Sequence, residues 1–487
     1  MSRNAAPVIV IGAGLSGLSS ALALARAGRE VMVLEAADQP GGCCSTAQVD
    51  GYTFNNGAVY VAVPSLLRRT FEQLGLDFDA EVPLVPIDHP HETHLDDDTV
   101  VHLGALETAR VEGFQASSRT ALLRDGLRKL QADWQPVYRR LLDDVLPFEP
   151  SLPRTLARLW RYLPKLAGRA DSLIASYFRD PSLQAAVASI LLYTGTAPAR
   201  LPSSQLIGLL ALLEEGFYLP KTGMGAITAA PLRALQVLGV PVRCGCKVER
   251  IEVGGDGVTG VALAGGEYLS ARDVVATCSG FSVVNHLLPA TAVPRSLQRT
   301  ARKAPLSHRA VAVQLGGRFD EGSRSFIVNH VPAMSRQGEM HQVGAATPRW
   351  LSWTSPSQVL TSLAPAGRAV IELYAPVSGV EHAEQWTSAM TERALEGHLA
   401  ALRKHLPAMG VETMRTIDPP TFAREWHLYE GALYGIAPGA SPNAYFPHRT
   451  ALPGLHLAGQ TTFPGFGVPT AMLSGLQAAA SLLAADH

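Results

Sequence analysis

The stretch VIVIGAGLSGLSSALALARAGREVMVLEAADQPGGCCST, residues 8–46, limits what this chain can fold into more than any other segment. Its first four residues are an apolar run, the pattern of a strand buried on both faces of a parallel sheet. Gly12, Gly14 and Gly17 follow at the spacing of a dinucleotide-binding turn, and the small residues of 19–27 suit a helix packed close behind it. Gly28 ends that helix, residues 30–34 read as a second strand, and Glu35 stands where a carboxylate can accept hydrogen bonds from ribose hydroxyls. The glycines serve three steric purposes, namely the tight turn, the approach of backbone to a pyrophosphate, and close helix–strand packing. Leu15 and Ser16, between the second and third glycines, are further candidates for binding that anion, which would sit on the free N–H groups and dipole of the helix N-terminus.

With 487 residues the chain exceeds one ordinary domain, so two domains sharing a large core are expected. The composition is 47% hydrophobic and 17% charged, that of a folded globular protein. A mean hydropathy of +0.11 leaves room for a large apolar cavity or a membrane-contacting face. A net charge of −1 argues against a nucleic-acid partner. Five cysteines, an odd number, make no disulfide framework and read as reduced thiols, which points to the cytoplasm. Cys244 and Cys246, on one face of an expected strand, lack a second ligand pair, so no metal is expected there. The first apolar run is too short for a secretory signal, and residues 206–213 fall short of the ~20 needed to cross a bilayer.

Beyond Glu35 the strand–helix alternation of a nicotinamide enzyme does not continue. Instead come Pro40-Gly41-Gly42, then Gly51-Tyr52-Thr53-Phe54, then Asn56-Gly57-Ala58, and glycine pairs let a loop pass close beneath a diphosphate. Further on lie YLPKTGMGAITAAPLRAL (218–235), PVRCGCKVERIEV (241–253), GVTGVALAGGEYLSARDVVATCS (257–279) and ALPGLHLAGQTTFPGFGVPTAMLSGLQAAASLL (451–483). Together these segments resemble the FAD-binding amine oxidase superfamily, and within it the branch of carotenoid desaturases, carotenoid isomerases and retinol saturases. The resemblance implies an α/β fold: a Rossmann-like, glutathione reductase-type FAD-binding domain with a second, discontinuous α+β substrate domain. The FAD-binding domain would take residues 1–105, 222–300 and 416–487, and the substrate domain 106–221 and 301–415. The first substrate segment is helical and aliphatic, and the second alternates like a sheet.

The same resemblance implies non-covalent FAD, since no cysteine lies in 451–483. Gly41, Gly42, Asn56, Gly57 and Ala58 would lead to the flavin, and the backbone at Val248 would lie against the adenine. Gly459, Gln460, Gly467 and Val468 belong to the closing flavin motif, whose helix N-terminus would face the flavin's N1–C2=O edge. Three positions depart from the pattern: Cys43 where a basic residue is common, Thr222 where a glycine is common, and Gln460 where an acid is common. In EWHLYEGALYGIAP (425–438), Tyr434 is the candidate for the substrate channel, with a plain core tyrosine as the alternative.

Other features invite chemistry. HPHETHLDDD (89–98) is not a zinc motif, and apolar alternation on both sides makes it a polar hairpin. A Ser–His–Asp hydrolase lacks its nucleophile elbow. In LPRTLARLWRYLPKLAGR (152–169), Arg154, Arg158, Arg161, Lys165 and Arg169 share one helical face. Leu152, Leu156, Leu159, Leu163 and Leu166 lie opposite, with Trp160 and Tyr162 beside them. That pattern fits peripheral contact with the inner face of a membrane, or a domain helix with a solvated basic face kinked at Pro164. The expected activity is removal of hydride from a lipophilic, carotenoid- or retinoid-like substrate to flavin N5. Rivals are polyene isomerisation or saturation, amine oxidation, for which Tyr434 and Tyr445 could supply a cage, and a non-catalytic prenyl-binding protein like the Rab GDP-dissociation inhibitors.

Overall fold

A computed structural model describes residues 6–148, 152–319, 323–332, 348–377 and 380–484, without the side chains at 152 and 154–156. Val8–Ile11 is the central strand of a five-stranded parallel sheet. It pairs with Val31–Leu34 on one side and Val274–Ala276 on the other; Val242–Arg243 and Leu455–Leu457 lie at the edges. In chain order the strands therefore run 3-2-1-4-5 across the sheet. The order reverses between Val8–Ile11 and Val274–Ala276, and such reversals open a crevice at the carboxyl ends of the strands.

The helix Leu15–Arg26 follows the glycine turn and packs against the helix Val468–Leu483. Ser19 Oγ donates to the Met472 carbonyl at 2.8 Å and Ser20 Oγ to the Gly475 carbonyl at 2.9 Å. A Cβ at Gly475 would overlap Ser19 Oγ and the Ser16 carbonyl, so the two helices touch backbone to backbone. Small residues in both helices make this approach possible.

An eight-stranded sheet forms the second layer, in the order Gly410–Ile417, Arg309–Arg318, Ala369–Val377, Leu351–Thr354, Ile327–Val331, His91–Leu95, Val100–Leu103, Arg110–Glu112. Its pairs are antiparallel except Ile327–Val331 with His91–Leu95. Pro181–Ser189 packs on His91–Leu95, and Ser388–His405 packs on the Arg309–Arg318 and Leu351–Thr354 strands. The hairpin expected at 89–98 forms, but it joins this second sheet, so the division expected at residue 105 falls inside it. Alternation in sequence shows a half-buried strand and carries no sign of which sheet it will join.

Two other local expectations change. Cys244 and Cys246 flank a turn at Gly245 rather than lying in a strand, because Gly245 N–H donates to the Ala37 carbonyl and Cys246 N–H to the Glu35 carbonyl. The segment 152–169 is not one helix: Leu152–Leu159, a 3-10 turn at Trp160–Tyr162 and Leu163–Ala167 follow one another, with Pro164 in the first turn of the last. The basic face is therefore interrupted, and Arg158 and Arg169 lie 3.8 Å from Asp144 and against Asp171 respectively. The side chains of Leu152, Arg154 and Leu156 lie outside the described residues. Among the described residues no helix is long and apolar enough to cross a membrane, and no group of His, Cys, Asp or Glu is arranged to hold a metal ion.

Candidate cofactor and substrate site

In the turn after Val8–Ile11, each of three glycines meets a different steric demand. Gly12 has φ +101°, and a Cβ there would meet Thr277 Oγ1 at 2.7 Å. That hydroxyl donates to the Ile11 carbonyl at 2.8 Å, tying the two strands together at the crevice. A Cβ at Gly17 would overlap the Gly12 carbonyl oxygen, so only hydrogen lets the helix start this close to the strand. Gly14, the residue capping that helix, has nothing within 4 Å of a built Cβ. Its open side is the approach to the helix N-terminus, where Leu15 and Ser16 begin the first turn.

Glu35 ends the Val31–Leu34 strand and is 9% exposed. Its carboxylate accepts from Ala13 N–H at 2.6 Å and from Ala37 N–H at 2.9 Å, which aims it across the glycine turn. Val248 starts its own strand three residues after Gly245, whose N–H donates to the Ala37 carbonyl. Gly41 N–H donates to the Ala13 carbonyl at 2.9 Å, and a Cβ at Gly42 would stand 3.4 Å from the Gly14 Cα. The Gly-Gly loop therefore passes beside the open glycine. Next to it, Ala58 N–H donates to the Cys43 carbonyl at 2.8 Å and Asn56 N–H to the Ser45 carbonyl at 3.1 Å. A Cβ at Gly57 would meet the Cys43 carbonyl oxygen at 2.9 Å, so the two loops lie in contact. Burial raises the Cys43 thiol to about 11, leaving it protonated.

The closing segment comes to the same edge. A Cβ at Gly459 would stand 2.8 Å from the Thr277 carbonyl and 3.4 Å from Ser16 Oγ. Gln460 follows, and Gly467 caps the helix Val468–Leu483. Residues 12–17, 35, 41–42, 56–58 and 459 are thus brought together although more than 400 positions separate the first from the last. A dinucleotide fits here on three grounds: a carboxylate fixed at a strand end, an open Cα at a helix N-terminus, and the buried Ser279 hydroxyl. Ser279 lies three residues past Val274–Ala276, and its hydroxyl has no hydrogen-bond partner among the described residues.

Tyr434 stands against the closing loop, its ring stacked on Phe466 with centroids 4.2 Å apart. His308 meets it edge-on at 5.2 Å and is hydrogen-bonded to Tyr374. Tyr374 stacks with Tyr193 at 5.7 Å, and Tyr193 bonds to Ser352. Burial raises the phenols of Tyr60, Tyr193 and Tyr374, and that of Tyr434 to about 12. All four nevertheless keep accessible surface. The rings of Tyr193, Tyr374, His308, Tyr434 and Phe466 thus make one continuous aromatic wall beside the closing loop, and Tyr60 stacks on Phe217. Tyr445 is edge-on to Phe463 at 6.4 Å, and its hydroxyl would lie 2.9 Å from a Cβ at Gly465, beside Phe466 in the closing loop. Of the wall, only Tyr434 stood out in the sequence. Tyr60 sits two residues past Ala58, a signal that could have found it, whereas Tyr193, Tyr374 and His308 have no local signature.

A sequence profile of flavin containing amine oxidoreductases matches residues 15–483. The phytoene dehydrogenase of Streptomyces griseus is 29% identical, over 97% of this chain and 94% of its own length. The hydroxyneurosporene desaturase of Rubrivivax gelatinosus is 28% identical, over 98% of this chain and 93% of its own length. The solved structure of putrescine oxidase bound to putrescine superposes with a TM-score of 0.65 at 16% identity, covering 98% of this chain and 99% of that one. Cyclohexylamine oxidase from Brevibacterium oxydans gives 0.61 at 18% identity, covering 99% of both. These superpositions agree with a Rossmann-like α/β domain joined to a second domain. The chain belongs to the flavin-containing amine oxidoreductase family, and its cofactor is FAD.

Proposed function

We propose that this protein is an FAD-dependent desaturase that removes hydride from a C–H bond of a long lipophilic substrate of the carotenoid or retinoid kind. The observation that carries this reading is the aromatic wall beside the closing loop. Tyr434, Phe466, Tyr374 and Tyr193 pair with one another, with His308 and with the Ser352 hydroxyl, a largely aromatic environment suited to an apolar chain. An amine between facing rings would need a gap, and Tyr434 and Phe466 are stacked at 4.2 Å and leave none. The relatives named for carotenoid substrates align over nearly their whole length, which supports the same class.

In this reading FAD is bound non-covalently. Gly12, Gly14, Leu15, Ser16 and Gly17 receive its pyrophosphate, Glu35 its adenosine ribose, and Val248 flanks its adenine. Gly41, Gly42, Asn56, Gly57 and Ala58 pass beneath it, and Gly459, Gln460, Gly467 and Val468 close over the flavin. Bound FAD supplies a hydride acceptor at N5. The protein's share is to hold the donor carbon about 3–3.5 Å from that atom and to exclude water, and Tyr434 is the ring placed for this. The FAD-binding unit is residues 1–105, 222–300 and 416–487 less the 91–103 hairpin, which serves the substrate sheet with 106–221 and 301–415. Docking on a membrane surface through the 152–169 segment would bring the site to a substrate that scarcely dissolves in water.

The test is anaerobic incubation with phytoene, retinol and putrescine in turn, following the flavin absorbance near its visible maximum. Bleaching by a polyene and not by putrescine is the expected result. A change of polyene isomer without bleaching would make the protein an isomerase, and bleaching by putrescine alone would sink the desaturase reading.

A further inference from the structure

The loop at Asn56–Ala58 is held from the substrate sheet. Gln314 is the cross-strand partner of Arg415 on one side and of Glu372 on the other, and Glu372 is the partner of Thr354. Directly opposed residues share a face, so these four side chains form one polar row across four neighbouring strands. Asn55 N–H donates to Glu372 Oε1 at 2.7 Å, and Asn55 Nδ2 donates to Oε2 at 3.3 Å. Thr354 Oγ1 reaches the same Oε2 at 3.4 Å. Gln314 Nε2 donates to the Asn55 carbonyl. Arg415 Nη1 donates to Gln314 Oε1 at 2.8 Å and to Asn56 Oδ1 at 3.3 Å. Asn56 Nδ2 passes the chain on to Ser45 Oγ at 2.9 Å, in the turn after the Gly-Gly pair.

Both backbone groups of Asn55 and both amide side chains are therefore fastened to the sheet or through it. Glu372 is 7% exposed, Asn55 6% and Gln314 3%. Burying a carboxyl group this deeply is costly, and burial raises its pKa to about 7. A neutral acceptor would hold a surface loop at lower cost.

We propose that the Arg415–Gln314–Glu372–Thr354 row is the positioning device for the FAD-facing loop, with Glu372 at its centre. The substrate sheet then sets the distance and angle at which residues 56–58 meet the flavin. This rests on the assignment of residues 56–58 to FAD made above, and it adds a role for residues outside that assignment.

The experiment compares the flavin-loaded parent, Glu372→Ala, Glu372→Gln and Gly14→Val by visible spectrum and by midpoint potential from dye equilibration. Glu372→Ala is expected to retain FAD but to shift both the band shape and the potential. Glu372→Gln keeps an acceptor for Asn55 N–H and returns both towards the parent. A Glu372→Ala protein with the parent's spectrum and potential overturns the proposal, and so does a Glu372→Gln protein altered as far as the alanine variant. Gly14→Val separates this outcome from the cofactor assignment. Full flavin in that variant overturns the assignment itself, whereas its loss beside an unmoved Glu372→Ala spectrum overturns only the positioning role. If Glu372→Ala does not fold, the half-buried Arg415→Met removes two bonds at the other end of the row. A shift there supports the proposal, and an unmoved spectrum and potential overturn it.

Discussion

Two glycines of one turn fail in different ways when a side chain is added. Gly14 faces open space, so Gly14→Val should fold with the melting temperature of the flavin-free parent and purify colourless. Gly17→Ala drives a methyl into the Gly12 carbonyl, and overpacking of that kind costs about 1–3 kcal/mol, seen as a lower melting temperature of the flavin-free protein. If Gly14→Val unfolds or stays yellow, the open side of the turn is not where the cofactor lies. Glu35→Ala removes the acceptor held across the turn and should weaken FAD binding by about 1.5–3 kcal/mol, measured as a rise in dissociation constant. These residues were legible because their chemistry is local: a spacing of glycines, and an acid one strand later. Tyr193, Tyr374 and Glu372 were not legible, because each acquires its role from strands far away in sequence, which no window of neighbouring residues displays.

Among elements, the 152–169 segment keeps the composition its sequence promised and loses the continuity. Five cations at helical spacing give a stripe only while the helix keeps one axis. The 3-10 turn at Trp160–Tyr162 rotates the second half against the first. Arg158, Lys165 and Arg169 stay exposed on the two pieces, and between them stands Trp160, 60% exposed, with the Arg161 guanidinium 5.1 Å above its ring. An aromatic ring beside a cation suits the headgroup boundary of a membrane, and each cation near an anionic surface contributes about 1 kcal/mol. Sedimentation with phosphatidylserine liposomes should therefore fall as salt rises. It should fall further in Trp160→Ala/Arg161→Glu, with flavin content unchanged. If that variant sediments as the parent does, the segment serves only to pack the fold. The eight-stranded sheet shows the same limit of sequence reading. Its alternation was visible from residue 300 onward, but its recruitment of His91–Leu95 depends on a parallel pairing with Ile327–Val331 across more than 200 residues.

For the whole molecule, that distant pairing has a cost in acid. His91 is 1% exposed, with Nε2 3.1 Å from Asn329 Nδ2. The Asn329 oxygen is already taken by Trp350 Nε1, so the amide presents N–H to the imidazole and favours its neutral form. Burial holds the His91 pKa down to about 4, from an ordinary 6.5. The unfolded chain thus binds a proton that the folded one refuses, and stability present above pH 6.5 is lost as pH falls towards 4, by about 3 kcal/mol. Urea midpoints across that range should drop less in His91→Gln than in the parent. An equal drop in both would remove His91 from the account. The bond between Ser19 and Met472 has a different consequence, one of timing. It joins residues 453 positions apart, and a ribosome adding roughly 5–20 residues per second needs about 20–90 s to cover that distance. For that interval the small-residue face of Leu15–Arg26 has been made and its covering helix has not. Until then a chaperone or the chain's own helical segments must shield that face, and the two ends of the candidate flavin site can meet only once residues 459–483 have been made.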